Sequence, residues 1–114
     1  QRVLASPQVE KERRFTAVIP AGMAQPGTPA GDEPVVLQGS VDCTFIENGR
    51  LNIIDFKTDR VEDMEELWRR YILQLKLYAY AMREVTGLAI GEMFLYSTWL
   101  SEGSGKLYDE TETA

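Results

Sequence analysis

The chain has 114 residues, enough for one modest domain with a single core. Its 12 Lys and Arg against 18 Asp and Glu give a formal net charge of −6, an unusual balance for a domain that must grip a polyanion unaided. There is no histidine, which removes Ser-His and Cys-His nucleophilic triads and histidine-ligated zinc. The single cysteine, Cys43, excludes an internal disulfide and a four-thiolate iron–sulfur cluster. No stretch approaches the ~20 apolar residues of a membrane span and no signal peptide is evident, so the chain reads as a soluble piece of something longer. The chemistry left is that of carboxylates, lysine and a hard metal.

In chain order, residues 8–20 alternate from Arg14 onward as a strand should, with Phe15, Ala17 and Ile19 on one buried face and Glu10 and Glu12 together on the other. Residues 21–34 combine Gly and Pro with few large apolar side chains and read as a long loop. The stretch Val35–Asp59 reads as a hairpin around Asn48-Gly49, the dipeptide that supplies both positive-φ positions of a type I′ turn. That turn sets the register Glu47–Arg50, Ile46–Leu51, Thr44–Ile53, Asp42–Asp55 and Ser40–Lys57. Two carboxylates directly opposite each other stand about 5 Å apart at Cβ and destabilise a sheet unless something compensates. A divalent cation between them is one answer, and Lys57, two residues on from Asp55, joins the same face. The competing reading is a surface hairpin with solvated carboxylates. It is disfavoured because Asp55 lies inside the apolar run LNIIDFK, where an unpaired carboxylate is costly. Cys43 has the opposite parity to Asp42 and reads as a small core residue.

Asp63 followed three residues later by Glu66 predicts a capping box and a helix from about Met64 to Glu84 that stops near Gly87. Leu67, Tyr71, Gln74, Tyr78 and Val85 form one stripe, and Trp68, Ile72, Leu75, Ala79 and Met82 a neighbouring one, together a wide apolar face. Gln74 is polar at the edge of that face and needs a hydrogen-bond partner there. Tyr71 and Tyr78 are candidates for stacking on bases, although aromatic stripes at this spacing more often belong to a core. Ala89–Leu100 is an apolar run suited to a last strand, with Trp99 covering the sheet end, and residues 101–114 read as a frayed tail. The elements predict an α/β fold with a mixed sheet of about four strands and the main helix on one face.

The residues G-S-V-D at 39–42, I-I-D-F-K-T-D at 53–59 and Y-I-L-Q-L-K-L-Y at 71–78 resemble the PD-(D/E)XK nucleases of the RecB type, most closely the nuclease domains of AddA-type helicase-nucleases. The resemblance covers roughly residues 9–98. It implies a restriction-endonuclease-like core and metal-dependent hydrolysis of DNA, mainly single-stranded, in recombinational repair of double-strand breaks. It further implies Mg²⁺, with Mn²⁺ able to substitute, held by Glu12, Asp42, Asp55 and the backbone carbonyl of Phe56. Lys57 and Gln74 then join Asp42 and Asp55 as catalytic residues, and Tyr78 and Tyr71 as DNA contacts. Glu10 competes with Glu12 for the first acidic position, and the family's glutamate three residues before an aromatic favours Glu12, with Phe15 as the aromatic, while periodicity alone leaves the two equal. A helicase region on the same parent chain, a partner of AddB type and a bacterial cytoplasmic location follow from the same resemblance, with no iron–sulfur cluster. The rival from another class is a nuclease-like module that has lost catalysis and guides DNA or serves for docking within a larger assembly.

Overall fold

The computed structural model of the chain describes residues 9–20 and 34–108. Asn48 and Gly49 adopt φ of 55° and 74°, the paired left-handed conformation the hairpin turn requires. On either side lie β2 (Pro34–Glu47) and β3 (Arg50–Lys57), paired Glu47 to Arg50, Ile46 to Leu51 and Thr44 to Ile53 as the turn dictates. The ladder ends at Cys43–Ile54, so Asp42–Asp55 and Ser40–Lys57 are not backbone pairs. From there β2 pairs only with β1 (Glu10–Pro20), in an antiparallel register running from Glu10–Thr44 to Pro20–Pro34. Residues 21–33 of the expected loop lie outside the described residues, and Pro34 already belongs to β2.

Helix α1 (Met64–Thr86) begins where the sequence places it. Asp63 accepts the Glu66 N–H at 2.9 Å, while the Glu66 carboxylate accepts the Glu62 N–H at 2.9 Å, so the reciprocal bond of the capping box is displaced by one residue. Gly87 closes the helix at φ 74°, its N–H donating to the Arg83 carbonyl at 2.9 Å. Leu67, Trp68, Leu75, Ala79 and Met82 are buried against Phe15, Ala17, Ile19, Val41, Leu51, Ile53, Met93 and Leu95 of the sheet. In the other predicted stripe Leu67 is buried, Tyr71, Gln74 and Tyr78 are half-buried and Val85 is exposed. The apolar face is wide, with Tyr71, Ile72 and Tyr78 packed against the core beside the fully buried residues, and its edge is where polar chemistry meets the core.

After the helix, β4 (Ile90–Ser97) runs parallel to β3 and completes a crossover unit. The expected frayed tail is in part a fifth strand, β5 (Glu102–Leu107), antiparallel to β4, so the sheet has five strands in the order β1-β2-β3-β4-β5 rather than about four. Its Gly-Ser composition hides it, because an edge strand is ordered by backbone pairing on one side and needs few apolar side chains. Two contacts pin it: the Trp68 indole N–H donates to Ser104 Oγ at 2.7 Å, and the Lys106 ammonium lies 5.3 Å from the Trp68 ring centre. Residues 109–114 lie outside the described residues.

The β3–β4 register shifts between Leu51–Ile90 and Ile53–Met93, so β4 carries one extra residue opposite Asn52. Asn52, 3% exposed, repairs the break. Its amide donates to the carbonyls of Phe45 (3.4 Å) and Arg50 (3.2 Å), and its Oδ1 accepts the Glu92 N–H at 2.8 Å. A Cβ at Gly91 would stand 2.5 Å from that Oδ1, which is why glycine occupies the bulge. Cys43 is buried, as its parity predicts, and burial pushes its thiol above the ordinary value.

Candidate active site

The site lies where β2 leaves β3. Past Cys43–Ile54 the strands no longer exchange backbone bonds, and two side chains take over as acceptors. The Asp42 N–H donates to Asp55 Oδ1 at 3.1 Å, and the Phe56 N–H donates to Asp42 Oδ2 at 2.8 Å. Each carboxylate thus stands in for a missing carbonyl on the opposite strand, which offsets the repulsion expected of like charges at this position.

The two acids differ in their surroundings. Asp42 is exposed, whereas Asp55 is 4% exposed. Burial pushes the Asp55 carboxyl above its ordinary value of 3.8, against the opposing pull of the Asp42 N–H and of Lys57. Lys57 Nζ lies 3.4 Å from Asp55 Oδ2 and donates to Gln74 Oε1 at 3.3 Å, so the partner Gln74 needs is the lysine itself. The strand places Asp55 and Lys57 on one face, and helix α1 brings Gln74 over them. The end of β3 is fixed from the other side, because Thr98 donates to the Lys57 carbonyl from its N–H (3.0 Å) and its hydroxyl (3.3 Å).

Glu12 stands level with Asp42, between Lys11 opposite Cys43 and Arg13 opposite Val41. It is exposed, at a left-handed φ of 52° that kinks β1. Glu10 is joined to Arg13 at 2.6 Å. Among the described residues no three His, Cys, Asp or Glu side chains lie close enough together to hold a metal, so Glu12 is not gathered with Asp42 and Asp55. The donors that are gathered fit a hard divalent cation that keeps several of its waters: two carboxylates, one buried and one open to solvent, beside the Phe56 peptide. The Phe56 side chain is 51% exposed and meets Tyr96 edge-on at 5.9 Å.

Tyr78 packs edge-on against Phe15 with ring centres 5.0 Å apart, above Gly39, where a Cβ would meet both rings at 2.9 Å. Burial first, and the Asp55 charge second, push its hydroxyl above the ordinary value. Tyr71 donates its hydroxyl to both oxygens of Asp59 (2.9 and 2.8 Å) and presents its ring face to Lys57 Nζ, 4.1 Å from the ring centre. Asp59 is the residue that sequence reasoning leaves without a role. Its place two residues beyond Lys57 in D-F-K-T-D is the available signal, but the contact it makes is set by helix docking.

A profile of the PD-(D/E)XK nuclease superfamily matches residues 2–110. The chain is 37% identical over 99 residues to the A-subunit of the ATP-dependent helicase/nuclease of Clostridium botulinum strain Hall, and 33% identical over 105 residues to that of Bacillus pumilus. Each match covers 84% of this chain and 8% of the relative, so the chain spans a small part of those proteins' length. The solved structure of SSO0001 superposes with a TM-score of 0.59 at 15% identity, covering 92% of this chain and 46% of that one, a likeness of fold. With nearly its whole length matched, and with D-x-K on β3 beside an aspartate on β2 and a glutamine on the crossover helix, the chain belongs to the PD-(D/E)XK nuclease superfamily and carries its restriction-endonuclease-like fold.

Proposed function

We propose that this nuclease domain is the DNA-hydrolysing unit of a longer helicase-nuclease, cutting phosphodiester bonds of single-stranded DNA, as an exonuclease, during recombinational repair of double-strand breaks. The observation that carries the reading is the buried Asp55 carboxylate, tied to Lys57 and bridged to Asp42 through the backbone. Accepting the Asp42 N–H would need only a neutral oxygen, whereas a buried carboxylate beside a lysine is the kind of group that concentrates at functional sites. The net charge of −6 fits a strand delivered by a helicase region of the parent chain and a partner of AddB type rather than captured by this domain. No helix among the described residues is long and apolar enough to cross a membrane, and a cytoplasmic location suits the assignment.

Asp42 and Asp55 would hold Mg²⁺, with Mn²⁺ as a substitute, and the Phe56 carbonyl and Glu12 would complete the set when the strand is in place. Such an ion, when bound, would supply Lewis acidity and lower the pKa of a water towards neutrality. Lys57, drawn to Asp55 and Gln74, would stabilise the charge that develops on the phosphate oxygens, a role its contacts support. Gln74 fixes the lysine's direction, and Tyr78 lines the approach beside Asp55. The test is metal-dependent cleavage of single-stranded DNA by the full-length protein containing this chain. Lys57→Ala should lower cleavage about 100-fold or more while metal binding measured by calorimetry survives. A wild-type protein that binds its AddB-type partner tightly and never cleaves would establish the docking module instead.

A further inference from the structure

The proposed chemistry asks two things of Lys57. Its ammonium must be held in place, and an N–H must remain for a phosphate oxygen. An ammonium has three N–H donors, and its oxygen partners among the described residues are Asp55 Oδ2 at 3.4 Å and Gln74 Oε1 at 3.3 Å. A third carboxylate or carbonyl would fix the group more firmly but would consume the remaining donor. An aromatic face attracts a cation through its quadrupole and takes no N–H. Tyr71 provides such a face, 4.1 Å from Nζ, at a lysine whose side chain is only 17% exposed.

The ring is anchored. Its hydroxyl donates to both oxygens of Asp59, and Asp59 also accepts from Arg70 at 3.0 Å, whose other nitrogen reaches Glu66 at 2.8 Å. The hydrogen bond from Tyr71 is the chief cause that holds the Asp59 carboxyl below its ordinary value, and the same bond raises the Tyr71 hydroxyl, so donor and acceptor keep their roles around neutral pH. One strand end and one helix flank are thus joined in the order Glu66, Arg70, Asp59, Tyr71, Lys57. Tyr71 has its hydroxyl bonded and a face beside an ammonium, an arrangement unlike that of an aromatic waiting for a base.

We propose that Tyr71, anchored by Asp59, is a positioning residue that holds the Lys57 ammonium between Asp55 and Gln74 while leaving one N–H for the scissile phosphate. The role rests on the nuclease reading of the site. It is measured in the full-length protein by single-turnover cleavage at saturating single-stranded DNA, with DNA affinity followed separately. Tyr71→Leu, which removes the ring, should slow cleavage roughly tenfold or more with affinity unchanged. Tyr71→Phe, nearly isosteric and therefore folded, keeps the ring but not the anchor and should recover part of that loss, to within about threefold of wild type. Asp59→Asn should resemble Tyr71→Phe. In a Lys57→Ala background, Tyr71→Leu should have no further effect, since the group it positions is gone.

Equal rates for Tyr71→Phe and Tyr71→Leu would mean that the hydroxyl merely docks the helix, and the positioning role would be overturned. Weaker DNA binding at an unchanged saturated rate would overturn it in favour of a base contact. Asp55→Asn and Lys57→Ala separate the two levels of the reading. If they abolish cleavage while both Tyr71 variants match wild type, the positioning role alone fails, and if they leave cleavage intact the nuclease site itself is misplaced.

Discussion

The two ends of the β2–β3 hairpin are made of the same strands and behave differently. At the turn end every residue from Glu47–Arg50 to Cys43–Ile54 is in backbone register, and the one irregularity, the bulge in β4, is repaired by Asn52 with three hydrogen bonds. At the open end the ladder stops, and Asp42 and Asp55 accept the N–H groups it leaves behind. A polar side chain at the turn end completes the sheet, whereas at the open end side chains replace it. Backbone N–H groups pointed at an anion hold its charge in place, and a strand pair can offer them only where it ceases to be a strand pair.

Breaking the open end should have the largest effect. Asp55→Asn should reduce cleavage by about 100-fold or more, because the neutral amide lacks the negative charge with which a carboxylate holds a hard cation. Metal-free stability should nonetheless hold or rise. The amide still accepts the Asp42 N–H, and the raised carboxyl pKa means that ionising Asp55 costs more in the folded than in the unfolded chain. Asp55→Ala should instead be less stable than Asp55→Asn by about 1–3 kcal/mol, since the Asp42 N–H loses its acceptor. Denaturant melts in EDTA check both. Had the carboxylates faced each other without backbone donors, as their register alone suggests, alanine would have been the stabilising choice.

Breaking the turn end should affect stability and leave chemistry alone. Gly91→Ala should destabilise the fold by about 1–3 kcal/mol as the new methyl displaces Asn52 Oδ1, and pairing it with Asn52→Ala should show strong non-additivity in the same melts.

Acid sharpens the contrast within the site. Asp55 binds its proton more tightly folded than unfolded, so its contribution to stability falls as pH rises from about 3.8 through its raised value. Asp59, held low by Tyr71, contributes stability that is present above about 3.8 and lost as pH falls through its depressed value. Asp55→Asn and Asp59→Asn should therefore change the acid limb of a stability–pH curve in opposite senses. The smallest effect is expected at the turn itself, where Gly49→Ala at φ 74° should cost about 1 kcal/mol by thermal melting.

The turn end is legible in the sequence because Asn48-Gly49 and the period of two are local rules. The helix and its caps are legible for the same reason. D-x-K follows from strand parity, and the family resemblance leads to Gln74, but its bond to Lys57 crosses 17 residues and depends on how far along the sheet the helix docks. Asn52 looks like an interruption in an apolar run, and only the register shift in β4 gives it a purpose. β5 escapes a reading of the sequence because edge pairing requires no apolar signature. Glu12 shares the level of Asp42, while the kink that leaves it exposed, away from the gathered donors, has no sequence signal in a non-glycine residue.

The parallel pairing of β3 with β4 also sets an order of assembly. A two-residue turn closes in microseconds, so Asp42 and Asp55 come together as soon as the hairpin forms. The bond from Thr98 to the Lys57 carbonyl spans 41 residues and waits for the whole helix to be made and laid down. During synthesis the acids therefore emerge first, the side chains that hold the lysine next, with helix α1, and the bond that fixes the end of β3 last. A growing chain would bring its carboxylates together while the end of the strand that carries the lysine is still without its partner on β4.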